Sequence, residues 1–213
     1  MPPTVLLFLK APRPGFVKTR LAVSLGEEAA CQVYRQLAEH TLSQIPSDWP
    51  CHIFYTPRDS QEEMASWLGT QHHYYAQSEG DLGQRLSTAS QKTFAEGASS
   101  TILLGGDCPD IRIHHLKEAA QHLAKKTPVI GPAVDGGYWL LGLPHHCPDV
   151  FQEIPWSTPQ VFPSTLRILE KLALSPIHLT TLEDVDDHSS WARHPELKNA
   201  GITHTKSTHT KNE

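Results

Sequence analysis

Val5-Leu-Leu-Phe-Leu9 is a continuous apolar run with no polar position left to face solvent. A strand of that kind has to be covered on both faces, the condition met by inner strands of parallel sheets flanked by helices. The run stops at a Pro/Gly loop, Lys10-Ala-Pro-Arg-Pro-Gly15-Phe-Val-Lys18-Thr-Arg20-Leu21, after which the apolar spacing becomes helical. Ala30, Val33, Tyr34, Leu37, Ala38, Thr41, Leu42 and Ile45 keep an i, i+3, i+4 stripe that ends at Pro46, and Ser24-Leu-Gly-Glu27 has the form of a capping box ahead of it.

The alternation continues along the chain. Short strands are expected over 52–55 and 73–76, around a helix over 60–68. A helix over 82–94 leads to a strand over 101–104, and Ile113, Leu116, Ala120 and Leu123 mark the next helix. Strands over 128–133 and 138–143 flank the turn Asp135-Gly136-Gly137. Ser157-Thr-Pro-Gln160 reads as a second capping box, opening a helix with Leu166, Leu169 and Leu172, before a last strand over 177–179. Strands alternating with helices predict an α/β fold: one domain over 1–201, built on a mainly parallel, doubly wound sheet, with a disordered tail over 202–213.

Composition excludes several classes of function. The chain has 213 residues and a net charge of −5, so it is not a protein that coats nucleic acid. No run approaches the ~20 apolar residues that span a bilayer, and any basic site is local rather than a polybasic membrane patch. Cys31, Cys51, Cys108 and Cys147 are widely spaced with no C-x-x-C, which fits free thiols in a cytoplasmic protein. The histidine pairs 72–73, 114–115 and 145–146 are adjacent, point to different sides of an element, and are expected at the surface.

Ligands of open α/β sheets bind beyond the carboxyl ends of the strands, where the loop after Leu9 must lie. Its cations Lys10, Arg13, Lys18 and Arg20, together with free backbone N–H groups, suit a polyphosphate. Gly15 lets backbone approach a phosphate, and Lys18 and Arg20 are placed to neutralise its oxygens, the arginine with a two-pronged fork. The competing reading is a solvated loop whose cations pair with neighbouring carboxylates. In Gly105-Gly106-Asp107-Cys108-Pro109-Asp110 a strand ends and leaves Asp107 at the sheet edge, suited to Mg²⁺, with Asp110 as a further ligand or a helix cap. If Asp184-Val185-Asp186 is extended, its two carboxylates share a face and repel unless a cation lies between them. The alternative is a helix start capped by Asp187 or Ser189. Asp135-Gly136-Gly137-Tyr138 and Trp156-Ser157 suit recognition of a sugar or other acceptor, or else a hairpin turn, a packed aromatic and a cap.

Taken in order, the Lys10–Leu21 segment, Gly80-Asp-Leu-Gly83-Gln-Arg85, Gly106-Asp107-Cys-Pro-Asp110, Gly131-Pro-Ala-Val-Asp135-Gly-Gly-Tyr138, Trp156-Ser157-Thr158 and Asp184-Val-Asp186 resemble bacterial glycosyltransferase-A-like transferases associated with radical-SAM and selenium-related domains. The resemblance spans roughly residues 4–190. More distantly, Lys18-Thr19-Arg20-Leu21 and the late Asp-Val-Asp are similar to phospholactate guanylyltransferase and molybdenum-cofactor guanylyltransferases. It implies a nucleotide-diphospho-sugar transferase fold and an enzyme that takes a nucleotide or nucleotide-sugar donor and a small-molecule acceptor. Nucleotide contacts then fall to Lys10, Gly15, Lys18, Thr19, Arg20, Gly83, Arg85 and Gly106. Mg²⁺ or Mn²⁺ falls to Asp107 and Asp186, with Asp110 as a third candidate, and acceptor contacts to Asp135, Gly136, Gly137, Tyr138, Trp156 and Ser157. Lys18, Arg20, Asp107 and Asp135 are the expected catalytic set. Glycosyl transfer, nucleotidyl transfer with release of pyrophosphate, and a nucleotide-binding module without catalysis all remain open on this scaffold. Relatives often carry Asp-Val-Asp-Thr and an acidic pair late in the chain, where this sequence has Asp187 and Ser189-Ser190.

Overall fold

The computed structural model describes residues 1–198, so the expected tail over 202–213 lies outside the described residues. The apolar run becomes strand β1 (Thr4–Lys10), followed by helices α1 (Thr19–Leu25) and α2 (Glu27–Ser43). Then come β2 (Cys51–Thr56), α3 (Gln61–Leu68), β3 (His73–Ala76), α4 (Leu82–Ala95), β4 (Thr101–Gly105) and α5 (Ile113–Ala124). The chain continues through β5 (Val129–Pro132), β6 (Tyr138–Leu143), a 3₁₀ turn at Pro148–Phe151, α6 (Val161–Lys171), β7 (Ile177–His178) and α7 (His188–Ala192).

All seven strands join one sheet in the order β3-β2-β1-β4-β6-β5-β7. β1 pairs in parallel with β2 and with β4, so its carboxyl end and the loop beyond it stand at the middle of the sheet edge. Alternation then divides the apolar run between two layers. Val5, Leu7 and Leu9 pack with Ala38 of α2, Met64 of α3 and Leu116 of α5, while Leu6 packs with Leu86 and Ala89 of α4 and Leu169 of α6. Each of the valine, leucine and methionine side chains among them, nearly or wholly withdrawn from water, contributes about 1.5–3 kcal/mol before chain entropy is counted. Helices therefore cover both faces, as expected.

Several local expectations are corrected. The sheet itself is mainly parallel, as expected, with β6 running antiparallel between β4 and β5. The Asp135-Gly136-Gly137 turn returns the chain beside β5, and apolar spacing carries no record of strand direction. Ser24 caps nothing, since it lies inside α1; Gly26, at φ 84°, ends that helix and begins α2. Ser157 does not open α6 either. Its backbone is left-handed at φ 63°, and the Thr158 hydroxyl accepts from the Gln160 N–H and donates to the Pro155 carbonyl, so the helix starts at Val161. Pro163 then falls in the first turn, where its missing N–H has no helical partner to lose. Finally, His115 is buried against Trp139 rather than at the surface, with ring centroids 5.6 Å apart.

Candidate active site at the carboxyl edge of the sheet

The loop after β1 is fastened from behind by α2. The Tyr34 hydroxyl accepts from the Lys10 N–H at 2.7 Å and donates to the Lys10 carbonyl at 2.9 Å. The Cys31 thiol donates to the Pro12 carbonyl, and Val17 is buried beside both side chains. So held, the loop turns at Lys18, whose left-handed backbone (φ 46°) delivers the chain into α1. The Lys18 side chain runs inward and is only 6% exposed.

Two carboxylates meet it. Lys18 Nζ lies 3.1 Å from Asp107 Oδ2 and 2.8 Å from Asp186 Oδ1. Burial works against the ammonium, but the charges of Asp107 and Asp186 outweigh it, and the Lys18 pKa is raised. Asp107 leaves the end of β4. Asp186 arrives on the extended segment before α7, which docks through the Val185 N–H on the Asp107 carbonyl at 3.0 Å. Val185 is fully buried with Leu21, Val33 and Leu37, and alternation turns Asp184 and Asp186 to the opposite side, into the cleft. Asp187 takes a different part: its carboxylate accepts from the Ser190 N–H and caps α7. Aspartate serves as an N-cap as well as threonine does, which accounts for the altered late motif.

The cleft has two lobes. The first, of about 400 Å³, is lined by Val17, Lys18, Thr19, Thr56, Gln77 and Arg85. Arg85 donates to the Gly80 carbonyl and to Gln77, which in turn donates to carbonyls at the ends of β1 and β2. The second, of about 700 Å³, is lined by Asp135, Gly137, Tyr138, Trp156, Ser157 and Asp184. Lys10, Arg20, Asp107 and Asp186 border both, and Arg20 is exposed with no ion-pair partner among the described residues. Burial, with the charge of Asp107 next, raises Asp184 to about 7 against a bond from the Cys108 thiol at 2.7 Å.

Not every expected residue comes here. Arg13 points to α3, where it pairs with Glu63 at 2.9 Å, as the solvated-loop reading had it for this one cation. Asp110 lies outside both lobes, 3.7 Å from Arg112, and does not cap α5, whose N-cap is Arg112. Gly15 lies in the loop, and neither it nor Gly83 lines the cleft. Gly83 is a packing glycine: a Cβ there would meet the Trp156 ring and the Phe151 carbonyl. Gly106 lines the first lobe and also lets Leu9 and Ala38 approach. Gly136, at φ 88°, sits tightly against Pro159 and supports the turn, while Gly137 donates to Asp135 Oδ1 at 2.8 Å.

Among the described residues no three His, Cys, Asp or Glu side chains gather as a metal site; two carboxylates converge on one ammonium. Asp184 shares the cleft face with Asp186, as the extended reading of that segment has it, and Gln77 joins the cleft unannounced by the sequence. The alternation around buried Val185 carries the signal for Asp184. Gln77 has none, because a lone amide after a strand is unremarkable in sequence.

Residues 41–158, more than half the chain, match a family of uncharacterized proteins conserved in bacteria, DUF2064. No curated protein matches the chain in sequence. Among solved structures, 97% of the chain aligns with 92% of a protein from Desulfovibrio desulfuricans G20, at 34% identity and a TM-score of 0.85. That protein is provisionally designated a nucleotide-diphospho-sugar transferase. Two remote structures share the fold alone. One is 4-diphosphocytidyl-2C-methyl-D-erythritol synthase from Anaerococcus prevotii DSM 20548, with 8% identity, a TM-score of 0.61, and 92% and 96% of the two chains covered. The other is Rv0371c from Mycobacterium tuberculosis H37Rv in complex with manganese, with 13% identity, a TM-score of 0.53, and 90% and 97% covered. The chain therefore belongs to the DUF2064 family of bacterial proteins and carries the nucleotide-diphospho-sugar transferase fold.

Proposed function

We propose that this protein is a glycosyltransferase that moves a sugar from a nucleotide-sugar donor to a small-molecule acceptor. The observation that carries the reading is the convergence of Lys18, Asp107 and Asp186 where a cationic lobe meets an acidic, aromatic one. The donor's nucleoside diphosphate takes the first lobe, against Lys18, Thr19, Arg20 and Arg85, with Lys10 at the border. Its sugar extends past Asp107 and Asp186 towards Tyr138 and Trp156.

The carboxylate pair fits a divalent cation, because both oxygens already approach one positive atom within 3.1 Å. Mg²⁺ or Mn²⁺ takes one or two protein carboxylates and completes its shell from phosphates and water. Held by Asp107 and Asp186, it would supply charge neutralisation for the donor diphosphate. With the carboxylates so occupied, the Lys18 ammonium would be free to pair with the donor's phosphate oxygens. In the transfer step the acceptor hydroxyl oxygen attacks the anomeric carbon. The bond from that carbon to the phosphate oxygen breaks, and its electron pair leaves with the nucleoside diphosphate. The hydroxyl proton passes to Asp135, whose carboxylate is oriented by the Gly137 N–H.

A second reading, nucleotidyl transfer, draws support from the cations of the first lobe, which also suit a triphosphate. An acceptor phosphate would attack the α-phosphorus and pyrophosphate would leave. A thermal-shift panel of sugar nucleotides and nucleoside triphosphates, each with and without Mg²⁺, separates the two. Glycosyl transfer predicts stabilisation by sugar nucleotides that Mg²⁺ enhances. Stabilisation by triphosphates alone would replace it with the second reading, and silence towards every nucleotide would remove both.

A further inference from the structure

The amino edge of the sheet, opposite the cleft, carries a second cluster of side chains that the transfer reading leaves unused. β2 and β3 pair in parallel with His52 directly beside His73, so the two side chains leave the same face of the sheet. The end of α4 meets them there. A hollow of about 420 Å³ is lined by His52, His73, Tyr75, Thr93, Glu96 and Gly97 among others.

His52 is only 9% exposed, a burial at which polar groups are ordinarily bonded. Thr93 Oγ1 takes the Nδ1 side of the ring at 3.5 Å. Nε2 has no hydrogen-bond partner among the described residues, yet it is not sealed from solvent. Burial, and then the neighbouring His73, lower the His52 pKa from its usual 6.5, which holds the ring in the neutral form that binds metals.

The geometry suits a dication as well. Two imidazoles on one tetrahedral metal, with metal–nitrogen bonds of about 2.1 Å, place their ring centroids roughly 5 Å apart. The centroids of His52 and His73 are 5.3 Å apart, with planes at 75°. The carboxyl end of α4 brings the negative pole of that helix to the hollow, and Glu96 adds a carboxylate to its wall. Lys92, the cation of that last turn, is engaged by Glu96 at 2.7 Å and by the Tyr75 ring at 4.3 Å. Imidazole ligands favour zinc, copper and nickel, whereas magnesium prefers oxygen.

We propose that His52 and His73 together bind a divalent transition metal of the zinc class at the amino edge of the sheet, with water completing its shell. Such an ion fastens the edge strand β3 to its neighbour β2. The site stands apart from the cleft and does not depend on what is transferred there.

The test titrates the full chain calorimetrically with ZnCl₂ in excess MgCl₂, which occupies oxygen sites and leaves imidazoles free. Wild type should take up zinc and gain melting temperature from it. His73 is exposed on an edge strand, so His73→Gln should fold as wild type does, and it should bind zinc at least about tenfold more weakly. Nitrogen NMR of the histidine rings identifies the site among the 14 histidines of the chain. The first equivalent of zinc should shift His52 Nε2 and a His73 nitrogen together. No uptake of zinc, equal affinity in His73→Gln, or ring shifts that spare His52 would overturn the proposal.

Discussion

Lys18 Nζ lies within 3.1 Å of both Asp107 and Asp186, the place a divalent cation has to take between them. Two cations cannot share that place, so lysine and metal compete for the same oxygens. Removing the lysine in Lys18→Ala should destabilise the metal-free protein by only about 1–2 kcal/mol, because the two carboxylates are 39% and 47% exposed and water screens their repulsion. The same variant should gain a larger rise in melting temperature from Mg²⁺ than wild type does, since nothing has to be displaced. Equal Mg²⁺ responses in the two proteins would count against a metal at these carboxylates. The chemistry of these residues was open to reading in the sequence, where loop cations and edge carboxylates stand out. Their pairing was not, because Lys18 and Asp186 are far apart in the chain and meet only through the docking of Val185 on the Asp107 carbonyl.

At the level of single elements, α4 and α5 show how helix ends set the cleft. Gly83 lies in the first turn of α4, and a Cβ there would press on the Trp156 ring and on the Phe151 carbonyl, which is backbone and cannot rotate away. Gly83→Ala should therefore cost about 1–3 kcal/mol in urea unfolding and displace Trp156 from the second lobe; a variant of wild-type stability would contradict this packing. At the start of α5, His115 Nδ1 accepts from the Arg112 N–H at 3.2 Å, which requires that nitrogen to carry no proton. Burial, and then the neighbouring His114, lower the His115 pKa from its usual 6.5. With the folded pKa below the unfolded one, the unfolded chain takes up the proton first, and stability is lost as pH falls through 6.5 towards the folded value. His115→Gln keeps an acceptor that does not titrate, so its urea midpoint should gain on wild type between pH 7.5 and 5. A constant difference across that range would show that His115 is not held neutral. The position of α5 was legible from its apolar stripe. The burial of His115 was not, since adjacency to His114 suggests a surface pair until β6 brings Trp139 against it.

Across the whole molecule, the apolar run of β1 and the strand–helix alternation were enough to read an α/β sheet with helices on both faces. The strand order was beyond that reading. β6 enters antiparallel between β4 and β5, and this places Tyr138 and the Asp135 turn beside Asp107 rather than on the far edge of the sheet. The candidate cleft thus draws on nearly the full length of the chain, from Lys10 to Asp186. The measurement that tests it most directly is a crystal structure of the protein with GDP or UDP and Mn²⁺, read in the manganese anomalous map. The account predicts a manganese peak between Asp107 and Asp186, with the diphosphate held by Lys18, Arg20 and Arg85. A nucleotide bound elsewhere, or one in this lobe while Lys18 still bridges the two carboxylates without metal, would contradict it.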